Sequence, residues 1–373
     1  MKKYIPEAIF LISGWTVATT GLSFIILAIL RYFQEAVSSV NPTLERSLAW
    51  YMTSNYQLFE GLLFGFCFGT AHFFVHWFTE RSNIQRLSFG RVILIKSLLY
   101  LAGLAMVGLF VFVLISSMPY FPKNALEEFS KLEVPFMMFI SGILFILFFL
   151  ILFNFLLEIN KKFGPKNLLR IFSGRYHTPV VEERIFMFID LKSSTSYAEK
   201  LGHFKYSQLI QLCFRHLNSV MEDSNGEIYQ YVGDEAVIIW DSRYQVNFEN
   251  CINFFFAFKN KIEKERVNYE SKFGLVPEFK AGVNCGSVTV AEVGTIKREI
   301  AYHGDVLNTA ARIQEQCNTL KEKLLVSGNF LSALGDNHEY HSIPQGATEL
   351  KGKKQPVKIF AIRELPVIEE MLD

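Results

Sequence analysis

Five cysteines in 373 residues (Cys67, Cys213, Cys251, Cys285 and Cys317) share no metal-ligand spacing, and so few exclude a disulfide scaffold. A basic surplus is missing too: 37 Lys and Arg stand against 36 Asp and Glu, net +1. Without excess positive charge a chain cannot neutralise a run of phosphates, which excludes a nucleic-acid binder. Repeats and low-complexity tracts are lacking as well. With 50% hydrophobic residues, intrinsic disorder is excluded. The deepest shortage is local. Residues 1–157 hold 10 Lys and Arg and 8 Glu, whereas residues 158–373 hold the other 27 basic and 28 acidic side chains.

Within the charge-poor part, four stretches carry no charged residue: 8–30, 61–79, 97–122 and 134–157. Each is near or above the roughly 18–20 residues that cross a hydrocarbon core, which predicts a four-span helical bundle over 1–157 in contact with membrane lipid. The first is not a secretory signal, because it exceeds an h-region of about 7–15 residues and no small-residue cleavage site follows. Lys2 and Lys3 precede it. Arg81, Arg86 and Arg91 lie in the second connector, and Lys161, Lys162, Lys166, Arg170 and Arg175 follow the fourth span. The other connectors offer fewer basic residues, diluted by Glu. This distribution predicts cytoplasmic N- and C-termini. His72 and His76, four apart on the second span, have the spacing of a metal or haem pair. The same spacing also suits a helix-to-helix bond from His72 and an interfacial place for His76 beside Trp77.

After Leu157 the composition turns polar. Gly164 and Pro165 break any continuing helix, and Leu168, Leu169, Ile171 and Phe172 form a short amphipathic piece, so 158–181 reads as a coupling linker. Three elements then carry chemistry. Arg184 to Asp190, RIFMFID, reads as a buried strand ending on a carboxylate, followed by Ser193, Ser194 and Thr195 as caps of a helix. A carboxylate beside a helix N-terminus suits a metal with polyphosphate. Gly226 to Trp240, GEIYQYVGDEAVIIW, reads as a hairpin with Asp234 at its tip. Two such carboxylates side by side would hold divalent ions. In YHGDVLNTAARIQEQC, Asn308 and Arg312 lie four apart on one helix face, an amide and a guanidinium suited to a ribose oxygen and a phosphoryl group in flight. Taken singly, each has a bland reading: a strand-end Asp, a turn Asp, a solvated Arg.

FIDLKSST, YVGDEAVIIW, HGDVLNTAAR and LKG, in this order, resemble the catalytic domain of class III nucleotidyl (adenylate and guanylate) cyclases over 182–364, with 365–373 left as a tail. Asp190 and Thr195 fit that family's Asp–Ile–x–x–x–Thr pattern. The resemblance implies an α+β, ferredoxin-like βαββαβ core working as a head-to-tail homodimer. It implies that Asp190, Asp234 and the Leu191 carbonyl bind two Mg²⁺ or Mn²⁺ per site. Ser193, Ser194 and Thr195, with Lys351 or alternatively Lys353, would take the triphosphate. Asn308 and Arg312 of the partner subunit would act in catalysis. The substrate is then a nucleoside triphosphate and the product a 3′,5′-cyclic nucleotide with pyrophosphate.

Two positions depart from the family pattern. Gln230 stands where adenylate-forming members carry Lys, and Ala301 where they carry Asp or Thr. Gln donates and accepts, so it can read adenine, guanine or uracil by flipping, and Ala reads nothing by hydrogen bond. Tyr302 or His303 is a substitute. ATP is favoured on family frequency, with GTP or a pyrimidine nucleotide open. A catalytically retired domain that binds nucleotide or a partner is the reading from another class. Diguanylate cyclases share the core, and VGDEA is close to their GGDEF turn, but they lack an Asn–x–x–x–Arg helix.

Overall fold

The computed structural model describes residues 4–32, 56–81, 89–116, 136–163, 174–221, 223–296, 298–335, 340–349 and 355–364. The chain divides into two compact units, Met1–Lys162 and Phe163–Asp373.

The first unit is helical: α1 (Ile5–Tyr32), α2 (Tyr56–Arg81), α3 (Phe89–Ser116) and α4 (Phe136–Phe163). Among the described residues, three stretches are long and apolar enough to cross a membrane: Ile5–Ile29, Leu58–Glu80 and Ile140–Asn160. The predicted third span falls on α3, where the apolar run among the described residues is Leu98–Phe110. Arg91 and Lys96 occupy the early turns of that helix, and the Lys96 ammonium lies 3.3 Å from Glu80 and 3.8 Å from Glu158. Residues 117–122 of that prediction lie outside the described residues. So do Lys2, Lys3, Arg86 and the amphipathic piece 168–172.

Close approach of α1 and α2 explains a glycine repeat. A Cβ on Gly61 would lie 2.7 Å from the Thr20 Cα and one on Gly69 2.5 Å from the Ile12 Cα; Gly65 abuts the Thr16 backbone more closely still. Small residues every fourth position let two helices pack where apolar burial gives no drive. Around Trp15, Leu11, Phe68, Phe153 and Leu157 are buried. Trp15 Nε1 donates to His72 Nδ1 at 3.0 Å, and His76 Nε2 lies 3.2 Å from Glu7. Both histidines are thus tied to α1, and both are buried. Among the described residues no group of three or more His, Cys, Asp or Glu has metal-holding geometry.

The second unit is built on one mixed sheet. Its strands are β1 (Val180–Leu191), β2 (Glu227–Val232), β3 (Glu235–Asp241), β4 (Phe279–Val293), β5 (Glu299–His303), β6 (Leu324–Ser327), β7 (Tyr340–Thr348) and β8 (Val357–Glu364). Their order is β2-β3-β1-β4-β6-β8-β7, with β5 paired to β4. β4 and β6 run parallel; β1–β3, β1–β4, β2–β3 and β4–β5 are antiparallel. Helices are α5 (Ser194–Met221), α6 (Val246–Lys264), α7 (Arg266–Phe273), α8 (Asp305–Leu320) and α9 (Gly328–Leu334).

Alternation along β1 sorts the two faces. Ile185, Met187, Ile189 and Leu191 join the core under α5, α6, α7 and α9, and Phe186 joins Val237, Val288, Val290 and Ala310 of α8 on the other face. The sheet carries four strands more than the expected βαββαβ unit, all of them after β4 in the chain. α8 can approach β4 only because residue 282 is glycine: a Cβ there would meet the Ala310 carbonyl at 2.6 Å and the Gln314 backbone.

Candidate active site

Three strand ends meet at one edge of the sheet. β1 closes on Asp190 and Leu191. The β1–β3 register pairs Ile189 with Ala236, so Asp190 comes beside the turn that carries Asp234. That turn is sharp: Gly233 has φ +63°, a region glycine enters without cost. The β1–β4 register sets Lys280 directly across from Asp190.

These neighbours define the electrostatics. Asp190 Oδ2 accepts from Gln314 Nε2 at 3.0 Å and lies 3.3 Å from the Lys280 ammonium. Burial and the Asp234 charge push the Asp190 carboxyl up, with Lys280 and Gln314 pulling against them. Glu235 is pushed up to about 7, first by burial and then by Asp190 and Asp234. Asp234 Oδ2 is buried with no hydrogen-bond partner. A buried carboxylate oxygen without a donor is costly, and two acidic groups converging on it add repulsion. A cation supplied from outside removes both costs, so the residues present fit a divalent metal ion. With no third acidic or His/Cys ligand in metal-holding geometry among the described residues, the rest of its shell would be backbone, water or substrate oxygens.

Next to the carboxylates stands the start of α5. Ser193 adopts φ +60° and its carbonyl accepts from the Tyr197 N–H at 3.1 Å. Ser194 opens the helix, and Ser193 and Thr195 are exposed. The Tyr206 hydroxyl bonds Ser194, and burial followed by the Asp234 charge raises its pKa, which puts this tyrosine at the site as well. Gly202, at φ +71°, breaks α5 after its first two turns.

The remaining predicted residues are placed as follows. Gln230 is exposed on β2 beside a register shift between Ile228 and Gln230. Ala301 is half-buried on β5, opposite Ala291. Tyr302 packs edge-on against Phe186 and Tyr229, with centroids 5.6 and 5.0 Å away, so its ring is committed to the core. Asn308 and Arg312 lie on α8, Arg312 bonded to Glu315 at 2.7 and 2.9 Å. Gln314 of the same helix faces Asp190. At about 100° per residue, Arg312 and Asn308 point about 160° and 120° away from it. Asp190 and Asp234 are brought together; Asn308 and Arg312 are not brought to them within one chain. Lys351 and Lys353 lie outside the described residues.

The model of the adenylate and guanylate cyclase catalytic domain matches residues 179–364. Those residues belong to that family. The chain is 33% identical over 208 residues to Adenylate cyclase 2 of Rhizobium meliloti (strain 1021), a match covering 56% of this chain and 57% of that protein. It is 21% identical over 209 residues to the terminal-differentiation specific adenylate cyclase of Dictyostelium discoideum, covering 55% of this chain and 10% of that one. The chain therefore spans little more than half the length of the first relative and a tenth of the second. A solved bacterial light-regulated adenylyl cyclase superposes with TM-score 0.52 at 18% identity, over 62% of this chain and 67% of that one, a likeness of fold.

Lys280, Gln314, Glu235 and Tyr206 were not foreseen. A signal existed for two of them. Lys280 is the one charge in the buried start of β4, between Phe279 and Ala281, and Gln314 is a polar residue on the apolar stripe Ala310, Ile313 and Cys317.

Proposed function

We propose that this chain is a membrane-anchored nucleotidyl cyclase, acting on ATP as first choice and working as a homodimer. The observation that carries the reading is the pairing of Asp190 with Asp234 around a buried, partnerless Asp234 oxygen, within a domain of the cyclase family. The all-antiparallel order β2-β3-β1-β4 supports a ferredoxin-like core.

Asp190, Asp234 and the Leu191 carbonyl would hold two Mg²⁺ or Mn²⁺. Bound there, the ions would ease loss of the 3′-hydroxyl proton and offset charge on the triphosphate. The residues of the chain do the rest. Ser193, Ser194 and Thr195 present hydroxyls and helix-start N–H groups to phosphate oxygens. Lys280, beside Asp190, and Lys351 supply the cationic contacts. Gln230, with Ala301 leaving space, meets the base. Asn308 and Arg312 of the partner subunit orient the ribose and stabilise charge as the 3′-oxygen bonds to the α-phosphorus and pyrophosphate departs. That last assignment is supported by α8, whose Asn308–Arg312 face turns away from the Asp190 of its own chain.

The three apolar helices, with α3 as a fourth span, would anchor the protein with both termini in the cytoplasm. Purified full-length protein given Mn²⁺ and each of ATP, GTP, CTP and UTP should yield one cyclic product, cAMP foremost. If all four nucleotides come back unchanged, the domain is a binding module instead.

A further inference from the structure

α8 has two chemically distinct faces. One is buried against β4 and carries Ala310, Ile313, Gln314 and Cys317. Gln314 is 4% exposed, in a place where an aliphatic side chain of equal length would pack without desolvating an amide. Its Nε2 spends a donor on Asp190 Oδ2 at 3.0 Å, across 124 residues of sequence. Lys280 takes the same oxygen from the other side at 3.3 Å. Both contacts converge on Oδ2, and an incoming cation would be met by the other oxygen, Oδ1. A neutral amide does this without cancelling the carboxylate charge that a cation needs. The backbone at Gln314 is seated directly on β4, an approach that Gly282 allows.

We propose that Gln314 is a positioning residue: its amide fixes the carboxylate of Asp190 in the orientation that binds the divalent ion, acting within its own subunit. This rests on the cyclase reading above and deepens it. Groups that orient a metal ligand typically contribute about 10–100-fold in metal affinity.

The test uses full-length Gln314→Met and Gln314→Leu, which keep the volume and remove the donor. Mn²⁺ binding is followed by the paramagnetic resonance of the free ion, with a non-cyclisable ATP analogue present. We expect the Mn²⁺ Kd to rise about 10-fold or more, with kcat at saturating Mn²⁺ staying within a few-fold of wild type. Cys317→Ala, which loosens the same helix face without touching Asp190, should leave the Kd unchanged. Mixed dimers separate the two roles of α8. With Asp190→Ala in one subunit and Arg312→Ala in the other, one intact site remains. Adding Gln314→Met to the subunit that supplies Asp190 should shift the Mn²⁺ requirement of that site; adding it to the other subunit should not.

An unchanged Kd, an equal shift from either subunit, or a melting temperature lowered by about 10 °C or more in both variants would assign Gln314 to packing and overturn the proposal. Wild-type protein that binds Mn²⁺ but forms no cyclic nucleotide would defeat the cyclase reading and leave this inference standing. Wild-type protein that binds no Mn²⁺ defeats both.

Discussion

Asp234 is poorly placed for folding, and on the proposed reading that same placement suits a cation. Its Oδ2 is buried without a partner, and its charge disfavours ionisation of both Asp190 and Glu235. Asp234→Asn removes the charge and offers an N–H to its acidic neighbours. We expect this variant to melt higher than wild type in metal-free buffer, by about 1 kcal/mol of stability, and to form no cyclic nucleotide. A lower melting point without metal would show that the aspartate is satisfied in a way the structure does not contain. His216 offers a cleaner titration far from the carboxylates. It is buried on α5, its Nδ1 lies 2.8 Å from the Tyr269 hydroxyl, and burial lowers its pKa below the usual 6.5, with Glu265 opposing and Lys261, Arg215 and Lys272 adding to the shift. The unfolded chain takes up a proton near 6.5 and the folded one does not. His216 therefore contributes stability that is complete above pH 6.5 and lost as pH falls below it. His216→Gln keeps a hydrogen-bonding group and cannot titrate. The difference in urea midpoint between wild type and this variant should shrink from pH 8 to pH 5; a constant difference would refute the assignment.

At the level of elements, α8 and β4 act as one piece. Gly282→Ala would drive a methyl group into the Ala310 carbonyl and the Gln314 backbone, neither of which can swing aside. We expect a loss of about 1–3 kcal/mol in unfolding free energy, and a Mn²⁺ response weakened in the same sense as for the Gln314 variants. A neutral substitution would mean that α8 is not seated as tightly as the structure has it. This joint also explains what could be read from the chain. The strand ending on Asp190, the hairpin bearing Asp234 and the helix bearing Asn308 and Arg312 each leave a local mark: an apolar run, a Gly-Asp turn, a four-residue spacing. Lys280 and Gln314 leave only a polar side chain in an apolar stretch, which does not point to Asp190, because cross-strand register and helix docking bring them there. The break in α5 at Gly202 was likewise hidden inside a helical pattern. In the helical unit, apolar length alone marked the helices. What it missed is on α3, where Lys96 is neutralised by Glu80 and Glu158 of two other helices, a pairing that no single-segment reading contains.

The whole molecule raises a question that a single chain cannot answer for itself. One subunit aims Gln314 at its own Asp190 and, by the geometry of a helix, aims Arg312 roughly the opposite way. A complete site on this reading needs two copies, each giving its carboxylates to one site and its Asn308–Arg312 face to the other. Symmetry then makes a quantitative prediction. Asp190→Ala alone spoils one component of both sites in its homodimer, and Arg312→Ala alone does the same. Co-expressed in equal amounts with random pairing, half of the dimers are mixed and each mixed dimer keeps one of its two sites whole. The recovered specific activity should be about a quarter of wild type, against background for either variant alone. Differently tagged subunits and tandem purification isolate the mixed species, which should then reach about half. Recovery near zero in purified mixed dimers would mean that Asp190 and Arg312 must come from the same chain. The orientation of α8 would then have to change by about half a turn for the protein to act, which the seating on Gly282 forbids.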